Sequence, residues 1–69
     1  MLRLKHERLL RGWSQIQLGR VANVAQPTVS AIERGLTPTP EQLDRLSRTL
    51  GVDPIALLTP LPVPESVQA

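Results

Sequence analysis

Four residues cut this chain into short pieces: Gly12, Asn23, Gly35 and Gly51. Each follows a run in which apolar residues recur at helical spacing. No stretch shows the sustained alternation of a half-buried strand. Glycine adopts the left-handed backbone that closes a helix without steric cost, and asparagine tolerates it better than most other residues. The chain therefore reads as a series of short helices, each stopped by one of these residues.

The start signals agree with the stops. Ser14 with Gln17, and Thr39 with Gln42, have the spacing of a capping box, in which each side chain satisfies a backbone N–H of the other. Asp53 is placed to cap a last short helix. Pro27, Pro40 and Pro54 fall in first turns, where a missing N–H breaks no bond. This spacing predicts five helices and no strand: about residues 2–11, 15–22, 26–34, 40–50, and a short one from 54. The expected inward residues are Leu2, Leu4, Leu9 and Leu10 in the first helix and Leu18, Val21 and Ala22 in the second. Val29 and Ile32 follow in the third, then Leu43, Leu46 and Leu50 in the fourth. Ile55, Leu57 and Leu58 make the fifth apolar. Trp13 is placed to pack near Leu18, and Val52 to return the chain to the core. Residues 1–58 form one all-α domain. Residues 59–69 form a tail with Pro60, Pro62 and Pro64 at alternate positions, expected to be extended and without internal hydrogen bonds.

Composition narrows the function. The chain has 69 residues, 41% of them apolar, one tryptophan, no phenylalanine or tyrosine, and no cysteine. The core must be aliphatic. No disulfide, thiolate site or cysteine nucleophile can exist, and a single histidine makes zinc binding improbable. His6 reads as a surface residue. Ser14, Ser30 and Ser47 have no histidine base close in sequence, and Glu41 with Asp44 reads as a solvated helix face. Neither a catalytic group, a metal nor a cofactor is expected. No apolar run is long enough to span a membrane, and the charged N-terminus is not a signal peptide, so a cytoplasmic protein is expected.

The net charge of +2 is unevenly spread. Residues 1–35 carry Arg3, Lys5, Arg8, Arg11, Arg20 and Arg34 against Glu7 and Glu33. Residues 36–69 carry Arg45 and Arg48 against four carboxylates. A basic front half suits a polyanion.

The most informative segment runs from Ser14 to Gly35. Two helices of roughly eight residues are joined by a turn too short to let them lie antiparallel, which is helix-turn-helix spacing. Gly19 fits a steep helix crossing, where one side chain at the contact must be very small. The second helix of such a unit can enter the major groove of B-DNA by its N-terminus. In VAQPTVSAIERG, Pro27 opens that helix rather than disrupting it.

The chain resembles the lambda-repressor-like, Cro/XRE-type helix-turn-helix family. The matching residues are Ser14-Gln15, Leu18-Gly19, Asn23-Val24, Thr28-Val29-Ser30, Ile32-Glu33, Gly35, and LDRLSRTLGVDPIALL from 43 to 58. Two positions depart from the family pattern: Gly19 is more often alanine there, and Asn23 is usually glycine. The resemblance implies sequence-specific binding of double-stranded DNA by a transcription regulator. Gln26, Pro27, Thr28 and Ala31 would face bases, with Gln26 pairing to adenine N6 and N7. Ala31 can offer only apolar contact, so shape readout would carry more of the specificity. Gln15, Ser30, Arg34, Thr37 and Thr39 would face phosphates, Gln15 by backbone N–H and side-chain amide and the two threonines by backbone and hydroxyl. Arg8 and Glu33 match a structural ion pair that fixes the third helix.

One such domain reads few base pairs, so the expected assembly is a homodimer on a palindromic operator, with recognition helices about 34 Å apart. Candidate interface residues are Pro40, Pro54, Ile55 and Leu58. Leu61, Pro62 and Val63 could add to the dimer or dock on another protein. A single small domain points to a repressor. The alternatives are an antitoxin-type regulator holding a toxin through the tail, or a protein-interaction module that keeps the fold without binding DNA.

Overall fold

The computed structural model describes residues 1–61; the tail expectations for Pro62, Val63 and Pro64 lie outside them. Five helices follow in order: α1 Arg3–Leu10, α2 Gln15–Ala22, α3 Gln26–Glu33, α4 Pro40–Leu50 and α5 Pro54–Leu57. Among the described residues no strand forms. One antiparallel bridge joins Leu2 to Pro60.

The local signals act where the sequence places them. Ser14 and Gln17 form a complete capping box on α2, and Thr39 and Gln42 form another on α4. The Asp53 carboxylate accepts from the Ile55 N–H. α1 to α4 each end with a left-handed residue, at Gly12, Asn23, Gly35 and Gly51. At each end the next residue's N–H reaches back five positions: Trp13 to Arg8, Val24 to Gly19, Leu36 to Ala31, Val52 to Ser47. This is the Schellman closure, which satisfies carbonyls the helix itself leaves free. Asn23 does it with φ 58° and ψ 47°, so asparagine serves where glycine is usual.

The core draws on every helix: Leu4, Leu18, Ala22, Val29, Ile32, Leu46, Leu50 and Leu57, with Val24 from the turn. Trp13, Leu43, Val52 and Leu58 pack against it. Several expected inward residues are outside. Leu9 is 49% exposed, Leu10 67% and Val21 57%, whereas the 80% exposure of Ile55 agrees with its place outside the core. The reason is angular. In α1 the buried pair is Leu4 and Arg8, four residues apart on one face; Leu9 and Leu10 lie one and two residue steps further round. In α2 the buried face is Leu18, Gly19 and Ala22, which leaves Val21 outward. α5 has only four residues and buries one of them, Leu57. His6 is half-buried rather than a free surface residue.

The segment after α5 is tied to the start of the chain. Arg3 N–H donates to the Thr59 carbonyl at 3.0 Å, and Leu61 N–H to the Met1 carbonyl at 2.7 Å. These bonds run to Met1 and Arg3 and not within the tail, and they fasten Thr59–Leu61 beside the start of α1. Leu61, lying between two prolines, keeps the N–H that its neighbours lack. The compact unit therefore reaches past Leu58 to Leu61.

Candidate nucleic-acid interface

α2, the turn Asn23–Ala25 and α3 form one rigid corner. Gly19 sits at its vertex. A Cβ built there would stand 2.5 Å from the Val24 carbonyl oxygen, closer than real Cβ atoms come to any atom. The same Val24 donates its N–H to the Gly19 carbonyl at 2.9 Å, and its side chain is buried. Backbone meets backbone because the side chain at 19 is a hydrogen. The Asn23 carbonyl accepts from the Arg45 guanidinium at 3.2 Å, tying the turn to α4.

α3 is fastened inward by Val29 and Ile32, both fully buried. Its outer side carries Gln26, Pro27, Thr28, Ser30 and Ala31. Pro27 is exposed, and the other four are half-buried. No side chain caps the start of α3, where Ala25 holds the cap position. Arg34, at the far end, is exposed. It forms no ion pair among the described residues, and neither do Lys5 and Arg20. Arg20 borders a groove that also takes in Ile16, Asn23 and Gln26.

The carboxylate of α3 is hidden. Glu33 is joined to Arg8 by two hydrogen bonds, Nε to Oε2 at 2.7 Å and Nη2 to Oε1 at 3.1 Å. Their side chains are 8% and 3% exposed for Arg8 and Glu33. The remaining Arg8 nitrogen, Nη1, donates to the Trp13 carbonyl at 2.8 Å. A bidentate, charge-assisted pair of this kind fixes angle as well as distance. It welds the end of α3 to α1.

Two further bonds extend the pair toward the outer face. Gln15 Nε2 donates to Glu33 Oε1 at 3.1 Å, and Gln26 Nε2 donates to Gln15 Oε1 at 2.9 Å. The resemblance joins Arg8 to Glu33, but it points to Gln15 and Gln26 separately. That they form one continuous chain of hydrogen bonds is not legible in the sequence, because the links span 25, 18 and 11 residues. Gln15 is thus turned inward with its amide engaged on both sides, which corrects the expectation that this amide meets a phosphate.

Thr37 and Thr39 are exposed in the loop before α4, while Pro38 between them is buried, an anchor the sequence did not signal. The backbone N–H of Thr39 is taken by Gln42 Oε1 at 3.0 Å, and its hydroxyl accepts from the Gln42 N–H. The expectation that Thr39 offers its backbone to a phosphate is therefore corrected. Only its hydroxyl proton is free to donate, because the capping box uses the rest. Of the interface candidates, Pro40 and Ile55 are exposed, and Pro54 and Leu58 half-buried. Glu41 and Asp44, on α4, pair with Arg45 and Arg48 on the same helix.

A family model described as helix-turn-helix matches residues 4–57. The chain belongs to the helix-turn-helix family, in its Cro/C1-type branch. This helix-turn-helix protein is similar in structure to the N-terminal DNA-binding domain of SinR, the master biofilm regulator of Bacillus subtilis. The two are 34% identical with a TM-score of 0.75, over 87% of this chain and 93% of that one. A comparison with curated proteins finds no match.

Proposed function

We propose that this helix-turn-helix protein binds double-stranded DNA sequence-specifically as a transcription regulator. The observation that carries the reading is the outer side of α3. It carries amide, hydroxyl and small apolar side chains, it ends in the exposed cation Arg34, and its one carboxylate, on Glu33, is sequestered by Arg8. An exposed carboxylate there would repel a phosphate backbone. The family membership and the likeness to the DNA-binding domain of SinR support the same reading.

In this reading the N-terminus of α3 enters the major groove. Gln26 reads a base edge, with Pro27, Thr28 and Ala31 offering close apolar contact. Ser30, Arg34 and the hydroxyls of Thr37 and Thr39 meet phosphates, which set register rather than sequence. Gln15 contributes its backbone N–H at the start of α2. The protein acts as a homodimer on a palindromic operator and blocks transcription. Ile55, at 80% exposure, is the natural centre of the two-fold contact, with Pro54, Leu58 and Pro40 around it.

Selection from a random duplex pool, followed by gel shifts from low to high salt, tests the reading. Specific binding whose affinity falls steeply with salt is expected. No binding to any duplex at low salt would leave the protein-interaction alternative. Sedimentation of Ile55→Glu tests the assembly: a monomer is expected, and an unchanged dimer moves the interface elsewhere.

A further inference from the structure

Gln26 is held by its nitrogen, not by its oxygen. The cause lies two links away along the hydrogen-bond chain, at Glu33. A carboxylate can only accept. Glu33 Oε1, which also accepts from Arg8 Nη2, can meet Gln15 only through a donor, which turns Gln15 Nε2 toward it at 3.1 Å and Oε1 away. Gln15 Oε1 in turn requires a donor, and Gln26 supplies Nε2 at 2.9 Å. Arg8 holds the carboxylate in place with two bonds of its own. Every bond in the series runs one way, and reversing the last would leave two oxygens or two nitrogens face to face.

We propose that Glu33 is a specificity-determining positioning residue: through Gln15 it sets which end of the Gln26 amide is presented to DNA. The inference rests on the DNA-binding reading above. With Nε2 committed inward, Gln26 presents Oε1, an acceptor. In the major groove the donors are the amino groups of adenine N6 and cytosine N4, and the keto groups of guanine and thymine are acceptors. Gln26 then favours an amino base. Adenine leads, because its N7 can also take the second Nε2 hydrogen. An ordinary surface glutamine, free to flip, would not separate amino from keto bases this way. The identity of a residue that touches no DNA thus enters the base preference.

Glu33→Gln tests this, because it swaps one acceptor for a donor. An amide at 33 that keeps its oxygen on Arg8 Nε, the shorter of the two arginine bonds at 2.7 Å, puts its nitrogen in place of Oε1, gives up the bond from Arg8 Nη2 and faces Gln15 as a donor. Gln15 then flips, Gln26 flips in response, and Nε2 faces outward. The assay uses the full chain, with duplexes from the random-pool selection varied at the single base pair read by Gln26. The wild type is expected to favour the amino base on the order of tenfold. Glu33→Gln should move that preference to a keto base or abolish it. Gln15→Ala, which cuts the series but leaves both bonds between Arg8 and Glu33, should abolish it. Arg8→Lys keeps the acceptor and should keep the preference even if it lowers stability. A purely structural role for the pair would make Arg8→Lys and Glu33→Gln behave alike. A folded Glu33→Gln, or Gln15→Ala, with the wild-type preference overturns the proposal. So does a cross-hydrogen-bond NMR correlation in the free wild-type protein running from Gln15 nitrogen to Gln26 oxygen, rather than from Gln26 Nε2 to Gln15 Cδ. The NMR measurement needs no DNA. A wild type with the expected correlation but no duplex binding refutes the DNA-binding reading, not the amide polarity.

Discussion

Glu33→Ala exposes how the domain is held together. Arg8 keeps its bond to the Trp13 carbonyl, but its Nε and Nη2 lose both partners, and its side chain is 8% exposed. Removing one member of a buried pair costs about 3–5 kcal/mol, because the other charge stays buried without compensation. A folded unit of this size has only about 3–9 kcal/mol to lose. The melting temperature should fall by roughly 15 °C or more, at about 4–8 °C per kcal/mol for a domain of this length. The assay is thermal and urea unfolding followed by circular dichroism. Arg8→Met combined with Glu33→Leu is the control. An apolar pair of similar volume should recover stability to within about 1–2 kcal/mol of wild type, which separates the penalty of a stranded charge from the worth of the pair. At temperatures where Glu33→Ala is folded, DNA affinity should still be lower, although no DNA contact has been removed, because α3 is no longer fixed to α1. A loss of stability below about 1 kcal/mol, the value of an exposed ion pair, refutes the reasoning. So does a Glu33→Ala protein with both the melting temperature and the DNA affinity of the wild type.

Other outcomes follow from the same geometry. Gly19→Ala sets two effects against each other: about 0.5–1 kcal/mol gained in helix propensity, and a Cβ 2.5 Å from the Val24 carbonyl oxygen. Overpacking against backbone costs about 1–3 kcal/mol, so a net loss near 1 kcal/mol is expected in urea melts, and a more stable variant contradicts the close approach. Ser14→Ala should cost about 1 kcal/mol by removing the α2 cap; an unchanged urea midpoint would show that Gln17 and water suffice. Arg34→Ala should weaken binding to specific and non-specific duplexes alike and lower the salt slope by about one per protomer. A loss confined to one sequence would make Arg34 a base reader instead.

The helix boundaries were legible because their causes are local. Ser14 and Gln17, Thr39 and Gln42, and the left-handed residues Asn23 and Gly51 act within a few positions, so their geometry follows from residue type and spacing. The corner at Gly19 was legible as a need for a small residue, though not as contact with the Val24 carbonyl. Less legible was which apolar residue faces inward. Leu9, Leu10, Val21 and Ile55 satisfy a helical pattern as well as Leu4, Ala22 and Leu57 do, yet the first four are exposed.

By itself, then, the sequence determined five short helices, the turn between the second and third, and a third helix fit to meet DNA. Only the tertiary structure decided that a charged pair, Arg8 and Glu33, sits in the interior while those leucines do not. It also decided that Gln15 and Gln26 extend that pair to the surface. The reason is that burial and hydrogen-bond direction depend on what arrives from elsewhere in the chain. Caps and stops are settled by neighbours in sequence, whereas a buried charge is tolerable only where a partner 25 residues away meets it.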